Sequence, residues 1–505
     1  MQILNTPIRT YFAFRDERLE ILRETQLDTQ EKWYKYFIKH APRTLFGKEH
    51  GITTGMIYEQ FVEHLPLQNY NTLSPYINRV IRGEDDVLWD SKIEWVAKSS
   101  GTTSSKSKYV PVSNESLKLN NYLAARDSLT FYTSLFPETE MFAGKAITLG
   151  GSLQAMEPGS VVKCGDVSAI LMDNMPFLGD FLKAPNREIL MHSNWNEKLY
   201  LIAENTVDEN ITSLSGVPSW MLLVLKEVLK IADKDNLMEV WPNLEVFFHG
   251  GVAFGPYREE YKKIIRSDKV FYMNMYNASE GFFGFQDQKQ TDDLLLLTDH
   301  GIFYEFVPID EVGSHLTKAV QLHEVELNRN YAIVITTAAG LWRYEIGDTV
   351  MFTSKFPYRF KITGRTAHYI NAFGEELIVD NADKAVYKAC QQTDAVISDY
   401  TAAPVFLEKE NNKACHEWII EFLKEPSDIR KFTETLDNSL KSLNSDYEAK
   451  RTGSLILNEP KIHIAPKGTF LKWLSKRNKL GGQYKVPRLQ NNREIIEEIL
   501  QIMAD

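Results

Sequence analysis

The stretch KSSGTTSSKSKYVP, Lys98 to Pro111, has the side chains an anion would call for. From Ser99 to Lys108 it holds Ser, Thr, Gly and Lys and no apolar residue. Small residues let backbone N–H groups turn inward on a phosphate, hydroxyls add donors, and Lys106 and Lys108 add charge. The same Ser-rich composition suits a flexible surface connection, so the residues alone leave both readings open. The chain contains neither G-x-x-x-x-G-K-[ST] nor G-x-G-x-x-G. A nucleotide bound here would therefore be held in neither a Walker-type loop nor a dinucleotide fold.

Other segments carry related chemistry. FFHGGVAFGP, Phe247 to Pro256, is an apolar strand pattern that ends in Gly250 and Gly251. Glycines there would let a flat base lie against the backbone, or would simply make a strand-to-helix turn. MYNASEGFFGF, Met275 to Phe285, sets an aromatic, a hydroxyl and a carboxylate at one strand end: Tyr276, Ser279 and Glu280. Tyr276 is suited to stacking on a base, and Glu280 to holding Mg²⁺, a hard cation that seeks carboxylate and phosphate oxygens. The alternative is an aromatic-rich edge of the core. LWRYEIGDTV, Leu341 to Val350, puts Asp348 behind a glycine. That carboxylate is placed either to accept both hydroxyls of a ribose or to close a Gly-Asp turn.

These segments need elements to hold them. Residues from about Arg9 to His40 repeat apolar positions at helical spacing. From Ile93 to about Pro357 short apolar runs alternate with amphipathic helices: KIEWVAK, KAITLG, TSLSGVP, LEVFFHGG, KVFYMNMY and YAIVITT, with a helix from Pro218 to Asp233 among them. This pattern predicts an α/β sheet. The Ser/Thr stretch should join a strand to a helix capped by Ser113. After Gly364 the pattern is that of a smaller α+β unit. It has a helix over Asp380 to Gln392, strand-like VISDYTAAPVFL and HEWIIEFL, a charged helix over Ser427 to Arg451, a strand KIHIAP, and a last helix over Asn492 to Met503. The expected division is 1–368 for a large domain and 369–505 for a small one.

The chain has 505 residues, which implies more than one core, and its composition is 43% hydrophobic, 12% aromatic and 25% charged, that of an ordinary globular protein. A net charge of −11 argues against broad nucleic-acid binding. The cysteines, Cys164, Cys390 and Cys415, are far apart and form no disulfide or metal spacing. The N-terminal residues lack the apolar core of a signal peptide, and no apolar run reaches the ~18 residues of a membrane span. A cytoplasmic protein with no membrane partner is expected.

Taken in order, the segments resemble the adenylate-forming (acyl-AMP ligase) superfamily, and within it the GH3 acyl-acid amido synthetases. That family includes plant enzymes that conjugate hormones to amino acids and also bacterial members, which this chain resembles. SSGTT matches the phosphate loop, YNASE the Tyr-x-x-Ser/Thr-Glu motif and YEIGD the Tyr-x-x-Gly-Asp motif. GRTAHYINAFGEEL, Gly364 to Leu377, matches the hinge, and GGQYKVPRL, Gly481 to Leu489, matches the segment with the catalytic lysine. The hinge departs from the superfamily at His368 and Asn371, where Asp or Lys is usual, but keeps Gly374.

The resemblance implies a large multi-sheet α/β domain of the adenylate-forming type and a smaller mobile α+β domain. It also implies an activity: ATP and Mg²⁺ are used to make an acyl adenylate, and an amino acid amine then takes the acyl group. An acyl-CoA ligase or another adenylating enzyme with a different acceptor is the main alternative, and a non-catalytic nucleotide- or acyl-binding protein a remoter one. The roles it carries over place Ser99, Ser100, Thr102 and Thr103 on the phosphates and Gly250, Gly251 and Val252 beside the adenine. Tyr276 lies against the adenine face, Asn277 is among the nucleotide-binding residues, and Ser279 touches the α-phosphate. Glu280 holds Mg²⁺, and Asp348 holds the ribose with help from Arg365. Lys485 reaches the α-phosphate and carboxylate from the small domain. Arg126, on the helix after the loop, falls where some relatives bind the acid; LGGSLQ (Leu149 to Gln154) and SGVPSW (Ser215 to Trp220) are expected to line the same pocket.

Overall fold

The helical pattern near the N-terminus is three helices, because the spacing breaks at Phe14–Arg15 and at Thr25: Gln2–Ala13, Asp16–Glu24 and Gln26–His40. Asp16 and Glu17 open the second with the charge that a helix start favours. Arg15 and Arg18 tie it to the fully buried Asp127 of helix Tyr122–Leu135; the Arg18 Nε–Asp127 Oδ2 distance is 3.1 Å. Burial alone would raise the Asp127 carboxyl, but His300, Arg15 and Arg18 together hold it well below the usual carboxylate range.

The computed structural model describes residues 2–504 except 100–107, 157–158, 176–178, 180, 252–253, 313–317, 367–368, 371–374, 376, 406–413, 452–456, 478–484 and 491. It divides into two compact units. The first comprises 1–252, 265–346 and 350–361, and the second 253–264, 347–349 and 362–505. The second unit thus takes in residues 253–264 and the Gly347–Thr349 stretch as well as the C-terminal part.

An eleven-stranded sheet organises the first unit. Its parallel part runs Lys145–Thr148, Ile211–Gly216, Val246–Gly250, Phe271–Ala278, with helices such as Pro218–Ala232 in the crossovers. Fully buried strands such as Val246–Gly250 are apolar throughout, as both faces of a covered parallel strand require. At Gly281 the direction reverses, and Gly281–Gln286 begins an antiparallel portion that includes Ile302–Pro308 and Asn330–Thr337. A separate four-stranded sheet holds the antiparallel pair Ile93–Ser99 and Lys108–Ser113, in register Ser99↔Lys108.

The Ser/Thr stretch therefore joins two strands of a hairpin rather than a strand to a helix. YVPV is a strand because its side chains pack inward, and Ser113 caps the helix only after it. Ser113 Oγ accepts from Ser116 N at 2.9 Å, Ser116 Oγ accepts from Ser113 N at 3.1 Å, and Ser113 Oγ donates to Ala338 O at 2.6 Å.

In the second unit Val396–Val405 and Cys415–Lys424 pair antiparallel, Lys461–Ala465 joins in parallel, and helices Val379–Thr393 and Ile429–Leu443 cover them. The charged helix expected to run to Arg451 breaks at Asn444 and resumes as Ser445–Arg451. Arg451 then binds the buried Asp437 through Nε and Nη2, both at 2.7 Å. Among the described residues no helix is long and apolar enough to cross a membrane.

A dense polar contact of the first unit is Arg343 with Glu305, both buried. Arg343 Nη2 donates to Glu305 Oε1 at 2.8 Å, Nε donates to both carboxylate oxygens at 3.0 Å, and Nη1 donates to Leu65 O at 2.5 Å. Tyr58 Oη adds a bond to Glu305 at 2.8 Å. Arg343→Met would leave that carboxylate buried and uncompensated, at a cost of about 3–5 kcal/mol. The urea midpoint followed by tryptophan fluorescence should fall accordingly; an unchanged midpoint would mean the ion pair does not stabilise this unit.

Candidate functional site

In the first unit the site residues gather at the ends of neighbouring strands. Gly250 ends Val246–Gly250 opposite Met275. A Cβ at Gly250 would lie 2.5 Å from Met275 O, so the adjacent strand itself excludes a side chain. Gly251 has φ +82, a left-handed conformation that only glycine adopts at little cost. Asn277 Oδ1 lies beside Gly250.

Ser279 and Glu280 are the two turn residues of a tight hairpin, since Ala278 pairs with Gly281. Ser279 is buried and Glu280 half-buried. Both line a narrow crevice of mixed polarity, with Ser116, Asn120, Asn121 and Thr337 beside Val112 and Ile302. Among the described residues no group of three or more His, Cys, Asp or Glu could cage a metal. A lone carboxylate such as Glu280 still fits Mg²⁺ when nucleotide phosphates and water supply the remaining oxygens.

Two expectations gain no support from where the side chains lie. Tyr276 is 4% exposed, and its ring packs in the core against Phe283 and Phe360, with centroids at 4.8 and 6.0 Å. It supports the strand from within. Arg126 is exposed, whereas Asp127 next to it is buried: a helical step of about 100° turns one residue out as the next turns in. The structure does not bring Arg126 into an enclosed acid pocket.

The LGGSLQ segment is held by a residue that the sequence did not single out. Lys198 is 1% exposed and donates Nζ to Gly150 O at 2.6 Å and Gly151 O at 3.1 Å, while Ser152 N donates to Asp166 Oδ2 at 3.0 Å. Burial pushes the Lys198 ammonium down to about 8, partly offset by Asp166.

In the second unit Asp348, Arg365 and Lys485 come together. Arg365 Nε pairs with Asp348 Oδ1 at 2.8 Å, and Gly347, at φ +84, kinks the strand just before Asp348. Asp348 thus lies within the long strand Tyr344–Lys355 and not in a hairpin turn. Burial pushes the Lys485 ammonium down to about 8; the Arg365 cation pushes the same way, Asp348 opposes, and Arg488 lowers it further.

The chain just beyond Lys485 is anchored to strand Val396–Val405. Ala402 N donates to Arg488 O at 2.8 Å, and Gln490 N donates to Ala402 O at 3.1 Å. Arg488 Nη1 pairs with Asp399 Oδ1 at 2.9 Å, Arg488 Nη2 donates to Tyr257 Oη at 3.3 Å, and the guanidinium sits 4.4 Å from the Tyr400 ring centroid. Tyr400 Oη donates to Asp383 at 2.6 Å. Sequence reading missed Arg488, although its place three positions after the lysine was visible. Its partners Asp383 and Asp399 lie some ninety to a hundred residues away and gave no local signal. Ser100, Thr102, Thr103, Val252, His368, Asn371 and Gly374 lie outside the described residues, as does the side chain of Ser99.

The comparisons with known proteins agree along the whole chain. The GH3 family N-terminal domain matches residues 15–270, the central domain 295–365 and the C-terminal domain 380–494. The chain belongs to the GH3 family. It is 22% identical to the indole-3-acetic acid-amido synthetase GH3.3 of Arabidopsis thaliana, over 93% of this chain and 90% of that protein. It is 23% identical to the jasmonoyl–L-amino acid synthetase JAR4 of Nicotiana attenuata, over 97% and 95%. In structure it is similar to the GH3.15 acyl acid amido synthetase, with a TM-score of 0.77 at 17% identity over 97% of this chain and 95% of that one. It also shares the fold of 2-hydroxyisobutyryl-CoA ligase in the postadenylation state, with a TM-score of 0.55 at 11% identity over 91% and 87%. This GH3 chain therefore has the adenylate-forming α/β fold.

The charge environment of Lys485 is directly measurable. In an NMR titration of ¹³C-methylated lysines, Lys485, assigned by its loss in Lys485→Arg, should titrate near 8, apart from surface lysines near ~10.4. Titration with the surface lysines would show that the ammonium is not held as described.

Proposed function

We propose that this protein is an ATP-dependent acid–amino acid ligase working through an acyl adenylate. The observation that carries the reading is the gathering of Asp348 and Arg365 around the half-buried Lys485 ammonium in a GH3 chain. In the first step a carboxylate oxygen attacks the α-phosphorus of ATP and pyrophosphate leaves. In the second an amino acid amine attacks the acyl carbon, AMP leaves, the amine gives up a proton and an amide forms. Both steps depend on holding the reactants in line and neutralising the charge that develops.

The division of labour follows the two expected domains, 1–368 and 369–505. Backbone and hydroxyl groups of Ser99, Ser100, Thr102 and Thr103 cradle the phosphates. Gly250, Gly251 and Val252 border the adenine, and Asn277 and Ser279 approach the α-phosphate. Asp348 accepts the ribose hydroxyls, with Arg365 fixing its orientation. Lys485 donates to the α-phosphate and the carboxylate, drawing the two anions together. Glu280 binds Mg²⁺, which supplies further neutralisation of the triphosphate. The Lys198-held loop at Gly150 and Gly151 borders the acid. Free Cys164, Cys390 and Cys415 suit the reducing cytoplasm.

Acid-dependent ATP–pyrophosphate exchange, screened over aryl, indolyl, fatty and short-chain acids without amine, tests the first step. Products with amino acids or with coenzyme A, weighed by mass spectrometry, should be amides; thioesters alone would move the protein to the acyl-CoA ligases. Lys485→Ala should lower exchange by about 100-fold or more yet still turn over a supplied acyl adenylate with amine. Adenylation at the parent rate would remove the mechanism. Because the ammonium of the free enzyme is lost as pH rises through about 8, kcat/KM for adenylation should fall above that pH. In Lys485→Arg the rate should be lower but flat there, since a guanidinium stays charged.

A further inference from the structure

The helix that follows the Ser/Thr stretch is not regular. Asn114–Ser116 is α-helical, Leu117–Asn121 is a π turn, and Tyr122–Leu135 is α-helical again. Such wide turns shift the residues around them out of α register and recur at functional sites. Here the shift sends Asn120 into the sheet, where it is 4% exposed.

Asn120 binds both backbone groups of a single residue. Its Oδ1 accepts from Phe282 N at 2.7 Å, and its Nδ2 donates to Phe282 O at 3.0 Å. Nδ2 also donates to His300 O at 2.9 Å. The ladder between Leu294–Leu296 and Gly281–Gln286 has already ended, at Leu296↔Gly284, so Phe282 lies beyond it. The side-chain amide takes the place of the missing strand there. Phe282 comes two positions after Glu280, across Gly281, and Asn120 lines the same crevice as Ser279 and Glu280. A two-residue turn has few ways to shift once the strand leaving it is pinned.

We infer that Asn120 is a positioning residue for the Ser279–Glu280 turn, setting where the Glu280 carboxylate meets the metal-bound triphosphate. This rests on the proposed role of Glu280. Partners that orient a metal-binding carboxylate matter through the group they hold, and their loss typically costs about 10- to 100-fold in metal affinity.

The test is calorimetric binding of ATP with and without Mg²⁺, which needs no turnover. In Asn120→Ala the gain in ATP affinity that Mg²⁺ confers should shrink about tenfold, while binding of metal-free ATP stays near that of the parent. Asn120→Asp, isosteric but with a carboxylate facing Phe282 O and His300 O, should do the same. Asn120→Ser, which keeps a donor and an acceptor, should recover part of the gain and serves if the others do not fold, thermal unfolding being measured alongside. Glu280→Gln is the control. A lost gain in Glu280→Gln beside an undiminished gain in the Asn120 variants would overturn the positioning role alone. An undiminished gain in both would overturn the metal role of Glu280 and this inference with it.

Discussion

An ammonium kept in partly dry surroundings depends on the charges around it. Lys485 has one carboxylate, Asp348, and two guanidinium groups, Arg365 and Arg488, within electrostatic reach. One anion does not offset burial and two cations, so the ammonium is held less tightly than a surface lysine's. That is a useful state for a group that must meet fresh negative charge, because phosphate and carboxylate oxygens supply what the resting surroundings lack. The second unit supports this arrangement physically. Arg488 is fastened by Asp399, Tyr257 and the Tyr400 ring, and the backbone on either side of Leu489 is bonded to Ala402. Burial pushes the Asp399 carboxyl up to about 6 even with Arg488 beside it. Packing there is tight enough to compete with a direct ion pair.

Beside its buried ion pairs, the first unit also holds several backbone groups with side chains. Asn120 holds Phe282, Lys198 holds Gly150 and Gly151, and Ser113 holds Ala338. Each is a side chain satisfying backbone groups where a strand ladder is interrupted or absent. Buried backbone polar groups are costly when unpaired, so such bonds specify a loop's conformation as firmly as strand pairing does. Glycine acts in the same spirit: Gly250 is small because the neighbouring strand's Met275 O leaves no room for a Cβ. Any closeness to a base would be a consequence of that packing.

Much of the fold was legible. The strands of the parallel sheet and most elements of the second unit fall where apolar runs and helical spacing put them, because burial on one or both faces imposes those periods directly, while helix Thr469–Lys476 was missed. Legibility failed where a residue's type fits two environments. Tyr276 suits a base and a core equally, and here its ring packs beside Phe283 and Phe360. Arg126 suits a pocket or a solvated face, and the inward turn of Asp127 decided for solvent. Asn120 had no sequence signal, since a π turn depends on what the helix packs against.

The sequence by itself determined the chemistry available and its order. A hydroxyl-rich stretch, a Ser-Glu turn, a Gly-Asp strand and a lysine near the C-terminus are local patterns, and their succession marks the family. Tertiary structure alone decided which side chains hold those groups in place. It joined Asn120 to Phe282, Lys198 to Gly150, and Arg488 to Asp399 and Tyr257. These partners lie far apart in the chain, and their bonds exist because folding desolvates polar atoms that must then find one another.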